Sequence, residues 1–178
     1  MLLIICVVIF GIVGCQETKK TEEPGPDTPA KWIQKGLKTS DDAKAAECFR
    51  RALELNQFSA PAHNDLGVVE MRLGNYYSAA SHFDQASRLM PANPQPRINL
   101  GLVYEYADQF TQAQKHYEDA LVVAPDSVEA KQCLARVRVR ESMWDDVTLK
   151  LLQDLTIQGT DATWRDWAQR TLAQHAGK

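Results

Sequence analysis

The sequence has little from which a chemical site could be built. Its four cysteines, Cys6, Cys15, Cys48 and Cys133, are too few and too widely spaced for the disulfide framework of a small secreted domain. Cys48 and Cys133, one in each half of the body, read as buried free thiols. There is no excess of positive charge: 20 Lys and Arg stand against 23 Asp and Glu, a net charge of −3, which argues against a dedicated nucleic-acid binder. No phosphate loop, zinc-protease helix or paired-cysteine metal motif occurs. Eight prolines and nine glycines are few, and most fall between candidate helices. The expectation is a chain without enzyme activity, cofactor, metal, small-molecule substrate or nucleic-acid partner. Its 44% apolar content is enough for a folded domain.

What is present begins with an apolar leader. Residues 1–14 are almost wholly apolar, yet fall short of the roughly 20 residues that span a bilayer, and they fit the apolar region of a signal peptide. The run stops at Ile12-Val13-Gly14-Cys15, which resembles the lipobox of bacterial lipoproteins. That resemblance implies removal of the leader and a lipid anchor on the Cys15 thiol, with the protein held at the membrane outside the cytosol. An uncleaved apolar anchor is the other reading of the same residues. Gln16, where an Asp would favour the inner membrane, points by the same resemblance to the outer membrane facing the periplasm. Residues 16–29 contain no aliphatic or aromatic side chain to bury and read as a tether; extended, they reach roughly 45 Å at about 3.3 Å each.

A period of 34 runs through the rest. Leu66-Gly67 falls over Leu100-Gly101, Ala79 over Ala113, Phe83 over Tyr117, Ala86 over Ala120 and Pro91 over Pro125. Extended backward, the offset reaches Ala45, Phe49 and Ala52; extended forward, it reaches Leu134-Ala135, Trp144, Val147 and Leu151. These motifs, with Gly74-Asn75-Tyr76 at a turn, resemble the tetratricopeptide repeat (TPR) family. The resemblance implies an all-α solenoid of about four helix-turn-helix repeats over residues 30–176, at about 26–59, 60–93, 94–127 and a degenerate 128–161, with a capping helix at 162–176. Small residues would let antiparallel helices approach, large rings would fill the gaps, and the prolines would end each unit. The flanking copies are weaker. Trp32-Ile33 stands where Leu-Gly is expected, Gln57 replaces a proline, and Asp154 falls where a small residue belongs. Thr160 or Asp161 can cap the last helix, whose apolar face carries Trp164, Trp167, Ala168 and Leu172.

By the same resemblance, the first helix of each pair lines a concave groove that takes a protein or peptide. Following the 34-residue offset, one row reads Lys38, Arg72, Tyr106, Arg140 and another Gln34, Val68, Leu102, Arg136; further rows contain Ile98, Met71 and Glu105. The expectation is an apolar floor of Val68, Met71, Ile98 and Leu102 beside a basic edge of Lys38, Arg72, Arg136 and Arg140, with a partner carrying apolar anchors and some acidic groups. A solvated face is the plainer reading of the basic row. Ala30 and Gln34 stand where chaperone-tail binders carry a Lys and an Asn, which disfavours that ligand. Cys48, His82 and His116 share one repeat position, but Lys150 follows in the row and no fourth ligand appears. His63 and His175 show no partner at helical spacing. Function is expected to be scaffolding or assembly at the bacterial envelope, in the manner of pilotin lipoproteins or of adaptors that dock cell-wall hydrolases.

Overall fold

The structure, a computed structural model, describes residues 27–159 and 161–177; the leader, Cys15, most of the tether and Thr160 lie outside them. The described residues form helices α1 (Pro29–Lys38), α2 (Asp42–Leu55), α3 (Ala60–Arg72), α4 (Tyr76–Leu89), α5 (Gln95–Tyr106), α6 (Phe110–Val123), α7 (Val128–Arg140), α8 (Asp146–Gln158) and α9 (Ala162–Ala176), and no strand. Local chemistry sets most starts. The side chains of Thr28, Asp41, Ser59, Ser127, Asp145 and Asp161 each accept a backbone N–H in the following first turn. Pro29, Pro61 and Pro96 sit in first turns, where a missing N–H costs nothing. Between the helices of a pair, Gly74 (φ 79°), Asp108 (φ 56°) and Ser142 (φ 57°) take the left-handed conformation one period apart. The next amide then donates five residues back, Asn75 to Glu70, Gln109 to Tyr104 and Met143 to Arg138, at 2.8, 2.8 and 2.9 Å.

Each helix packs on the next in the chain, and the first helices also meet one another: α1 with α3, α3 with α5, α5 with α7. The first helices therefore build the inner side of the stack. Close approach within a pair depends on glycine. A Cβ on Gly67 would lie 2.7 Å from the Phe83 ring, and one on Gly101 would run into the ring of Tyr117. Phe83 and Tyr117 are completely buried.

The first pair departs from the 34-residue register. Its glycine contact is made by Gly36, where a Cβ would lie 2.6 Å from Phe49. Gly36 is one helical turn beyond Ile33, the position that the offset selects; Ile33 packs beside the same cluster. The fourth pair departs by a slip. The buried set Ala113, Tyr117, Ala120 of α6 recurs in α8 as Thr148, Leu152, Leu155, an offset of 35. Asp154 is thus no intruder in the core. It turns outward to Lys131, 3.6 Å away, while Val147 is exposed. Helix α9 covers the end of the stack through Ala168, Trp167 and Leu172. Trp164 meets Trp167 edge to face at 5.3 Å. Asp161 makes the cap, its carboxylate accepting from Trp164 N at 3.0 Å.

The slip is held by a buried cation. The Arg138 side chain, 5% exposed, donates to Asp145 at 2.5 Å and to Thr148 Oγ1 at 2.9 Å. Asp145 also accepts from the Thr148 amide at 2.9 Å. The amide, then Arg138, hold its carboxyl down at about 2. A depressed pKa contributes stability that is full above the unfolded value, about 3.9, and lost as pH falls toward 2. Denaturant midpoints of the parent should therefore drop between pH 5 and pH 2, and Asp145→Asn should lower the midpoint at pH 5 and flatten that drop. An unchanged acid profile in the variant would show that this cap does not titrate with unfolding.

Candidate functional site: the inner groove

The inner face of α3, α5 and α7 carries an apolar floor, reduced by one member. Val68 and Met71 are half-buried against the cluster around Phe83, and Leu102 is half-buried against the C-terminal cluster. Each leaves apolar surface open. Ile98 does not: at 1% exposure it belongs to the core and offers nothing to a ligand. Its 34-residue row identifies a position along the repeat but not the rotation of the helix at that point.

The expected basic edge is largely neutralised. Arg72 donates two bonds from Nε (3.0 and 3.1 Å) and one from Nη2 (2.5 Å) to Asp42. Arg136 clasps Glu105 with Nε at 2.9 Å and Nη2 at 2.8 Å, and the same carboxylate accepts the Tyr117 hydroxyl at 2.9 Å. The Glu105 bond raises Arg136 further above its already high range, and burial raises Tyr117. Arg140 is held more loosely. It reaches the exposed Asp108 at 3.4 Å and lies 4.3 Å over the Phe110 ring. Lys38 is exposed at the end of α1. The sequence rows, built on an offset of 34, did not show these pairs because each joins residues 30 to 32 apart. Tyr106 stacks on Tyr76, rings 5.8 Å apart, and remains largely open to solvent.

Two hollows punctuate the groove. One, of about 260 Å³, is lined by Leu102, Glu105, Tyr106, Arg136 and Arg140. The other, of about 250 Å³, lies between α1 and α3 and is lined among others by Leu37, Asp65, Val68 and Arg72. Asp65 was not among the residues that the repeat pattern selected. A wider cleft of about 590 Å³ lies outside the groove, between α4 and α6, with Tyr77, Tyr104 and His116 in its lining.

The row of possible metal ligands is not brought together, and among the described residues no three His, Cys, Asp or Glu side chains form a metal-binding group. His82 instead meets His63, Nδ1 to Nδ1 at 3.1 Å, so one nitrogen donates and the other accepts. His63 Nε2 lies 3.0 Å from the Gln57 carbonyl. His116 stacks on Tyr104 at 5.1 Å, and His175 on Trp144 at 4.1 Å. Burial, then the neighbouring His63, lowers the His82 pKa. Cys48 and Cys133 are free and buried, and burial pushes the Cys133 thiol up to about 11.

Stacked helix pairs whose first helices line an open inner face define a helical repeat solenoid. Residues 57–126 match the tetratricopeptide repeat family. Human cilia- and flagella-associated protein 70 is 32% identical over 114 residues, which are 62% of this chain and 10% of that protein. The chain therefore spans a tenth of that relative's length. Among solved structures, MamA superposes with a TM-score of 0.63 at 16% identity, over 86% of this chain and 84% of its own. The first TPR domain of Spaghetti (RPAP3), solved with the HSP90 peptide SRMEEVD, superposes with a TM-score of 0.61 at 18% identity, over 65% of this chain and 94% of its own. At such identities the likeness is one of fold. Proteins of the family that residues 57–126 match generally mediate protein–protein interactions.

Proposed function

We propose that this chain is an envelope-anchored adaptor, tethered through lipid on Cys15, that holds a protein segment in its inner groove. The observation that carries the binding part is the half-open apolar floor of Val68, Met71 and Leu102 between repeats whose charges are mostly satisfied internally. Burial of apolar surface then supplies the affinity, while Arg140, the loosely paired cation at one end, orients an acidic group. The RPAP3 domain, bound to a peptide, supports the mode of binding. The apolar run ending at Ile-Val-Gly-Cys supports the anchor. A partner within pilus or secretion-pore assembly, or a cell-wall hydrolase, fits an adaptor held at that place.

The anchor has its own test. Cys15→Ser is expected to abolish labelling by a palmitate analogue and to leave the protein unprocessed or out of the lipid fraction. Label that persists in the variant contradicts the lipid anchor without touching the groove. Pull-down from solubilised envelope, read by mass spectrometry, identifies the partner.

A further inference from the structure

The hollow between α1 and α3 contains a carboxylate, Asp65, that no cation among the described residues matches. Three other carboxylates beside the groove are paired with arginines: Asp42 with Arg72, Glu105 with Arg136, Asp108 with Arg140. Asp65 makes no such pair among the described residues. Its hydrogen bond comes from a neutral neighbour, Asn64 Nδ2, at 3.3 Å. It is half-buried, and that burial raises its pKa above the ordinary carboxylate value. Arg72 lines the same hollow but is committed to Asp42 by three hydrogen bonds. The walls beside Asp65 are apolar: Val68, and Leu37, which is 65% exposed although it is a large aliphatic residue.

We propose that this hollow receives a lysine or arginine of the partner segment, its charge on Asp65 and its methylene stem along Leu37 and Val68. The assignment rests on the groove being the binding face, and it names the chemistry that the groove selects there. A neutral donor would satisfy only the hydrogen-bonding capacity of Asp65. A cation also relieves the cost of holding an ionised carboxylate away from water, and a long basic side chain buries its stem while its head pairs. The occupant is thus basic at the first-repeat end, where an anion-binding groove had been expected from the arginine rows. Arg140 lines the other hollow, two first helices further along the stack. Neighbouring packed helices lie about 8–10 Å apart, so the two hollows are roughly 20 Å apart. About six residues of extended chain cover that span. The ligand reads in one direction, with a basic residue toward α1 and an acidic residue toward α7.

The probe is a phage-displayed library of random dodecapeptides, panned on the full chain in detergent. Enriched sequences should share a Lys or Arg beside an apolar residue, and an acidic residue about six positions away. A synthetic enriched peptide should lose at least about tenfold in affinity for Asp65→Asn, or when norleucine replaces its basic residue. The two losses should not add, because both remove the same pair. The peptide-side change leaves the protein intact, so a folding defect in the variant cannot imitate the result. An acidic or purely apolar consensus whose binding disappears in Leu102→Asp overturns the Asp65 assignment and leaves the groove in place. Peptides that bind both variants as they bind the parent overturn the assignment together with the groove reading.

Discussion

Gly101→Leu is expected to be among the most destabilising single changes in the repeats. A Cβ at this position would already run into the Tyr117 ring, and a leucine adds three more heavy atoms. The ring has nowhere to go. It is completely buried, its hydroxyl is bonded to Glu105, and Glu105 is clasped by Arg136. Overpacking a well-filled core costs about 1–3 kcal/mol and sometimes more; this site belongs at or above the upper end. His116→Ala is the comparison. His116 is half-buried and gives up a stacked ring contact with Tyr104, worth about 1 kcal/mol. In urea melts the Gly101→Leu midpoint should fall at least about twice as far, for changes of stability that compare as 3 to 1 kcal/mol. Shortening the opposing ring in Gly101→Ala with Tyr117→Leu should recover part of the loss of Gly101→Ala alone, since the two side chains compete for one volume. Equal losses for Gly101→Leu and His116→Ala would mean that the helix pairs are not packed in this register.

Leu102→Asp is expected to reduce partner binding by about 100-fold or more while leaving the solenoid folded. Central, desolvated apolar anchors commonly account for about 2 kcal/mol or more each on truncation, and a carboxylate adds the cost of burying charge against the ligand. The fold tolerates the change because Leu102 is half-open in the free chain, unlike Ile98, whose replacement by aspartate would be a core lesion. Arg140→Glu should behave differently. It should slow association and flatten its salt dependence, with a smaller effect on dissociation, because exposed charges act over a screening length of about 10 Å at 0.1 M salt and about 3 Å at 1 M. Arg72 and Arg136 are poorer steering residues, since each is already neutralised by Asp42 or Glu105.

The period of 34 revealed the central repeats because the positions that make it work are chemically narrow. Gly67 and Gly101 leave no room for a Cβ, and Phe83 and Tyr117 fill the space they leave. Where a different solution to the same packing problem was used, the period misled. Gly36 does in the first pair what Gly67 does in the second, but from one turn further along α1, so a fixed offset selected Ile33 instead. In the last pair, one extra residue between the left-handed Ser142 and the buried Thr148 rotated α8 and moved Asp154 out of the core. The groove was legible in outline and not in charge. The rows located Val68, Met71 and Leu102, yet included the buried Ile98. They read Arg72, Arg136 and Arg140 as a basic edge because the acids that pair with them lie on α2, on α5 and in the turn after α5, at other positions of the repeat. Asp65 escaped because its significance lies in having a neutral partner and no cation among the described residues, which the repeat pattern does not display.

Photo-crosslinking tests the groove most directly. A photoreactive amino acid is placed in turn at Leu37 and Tyr106, which line the two groove hollows, and at Tyr77, which is 92% exposed in the cleft outside it. After irradiation in intact cells, adducts to one partner are expected from Leu37 and Tyr106 and not from Tyr77. Adducts from Tyr77 alone would contradict the account and place the interface on the outer cleft between α4 and α6.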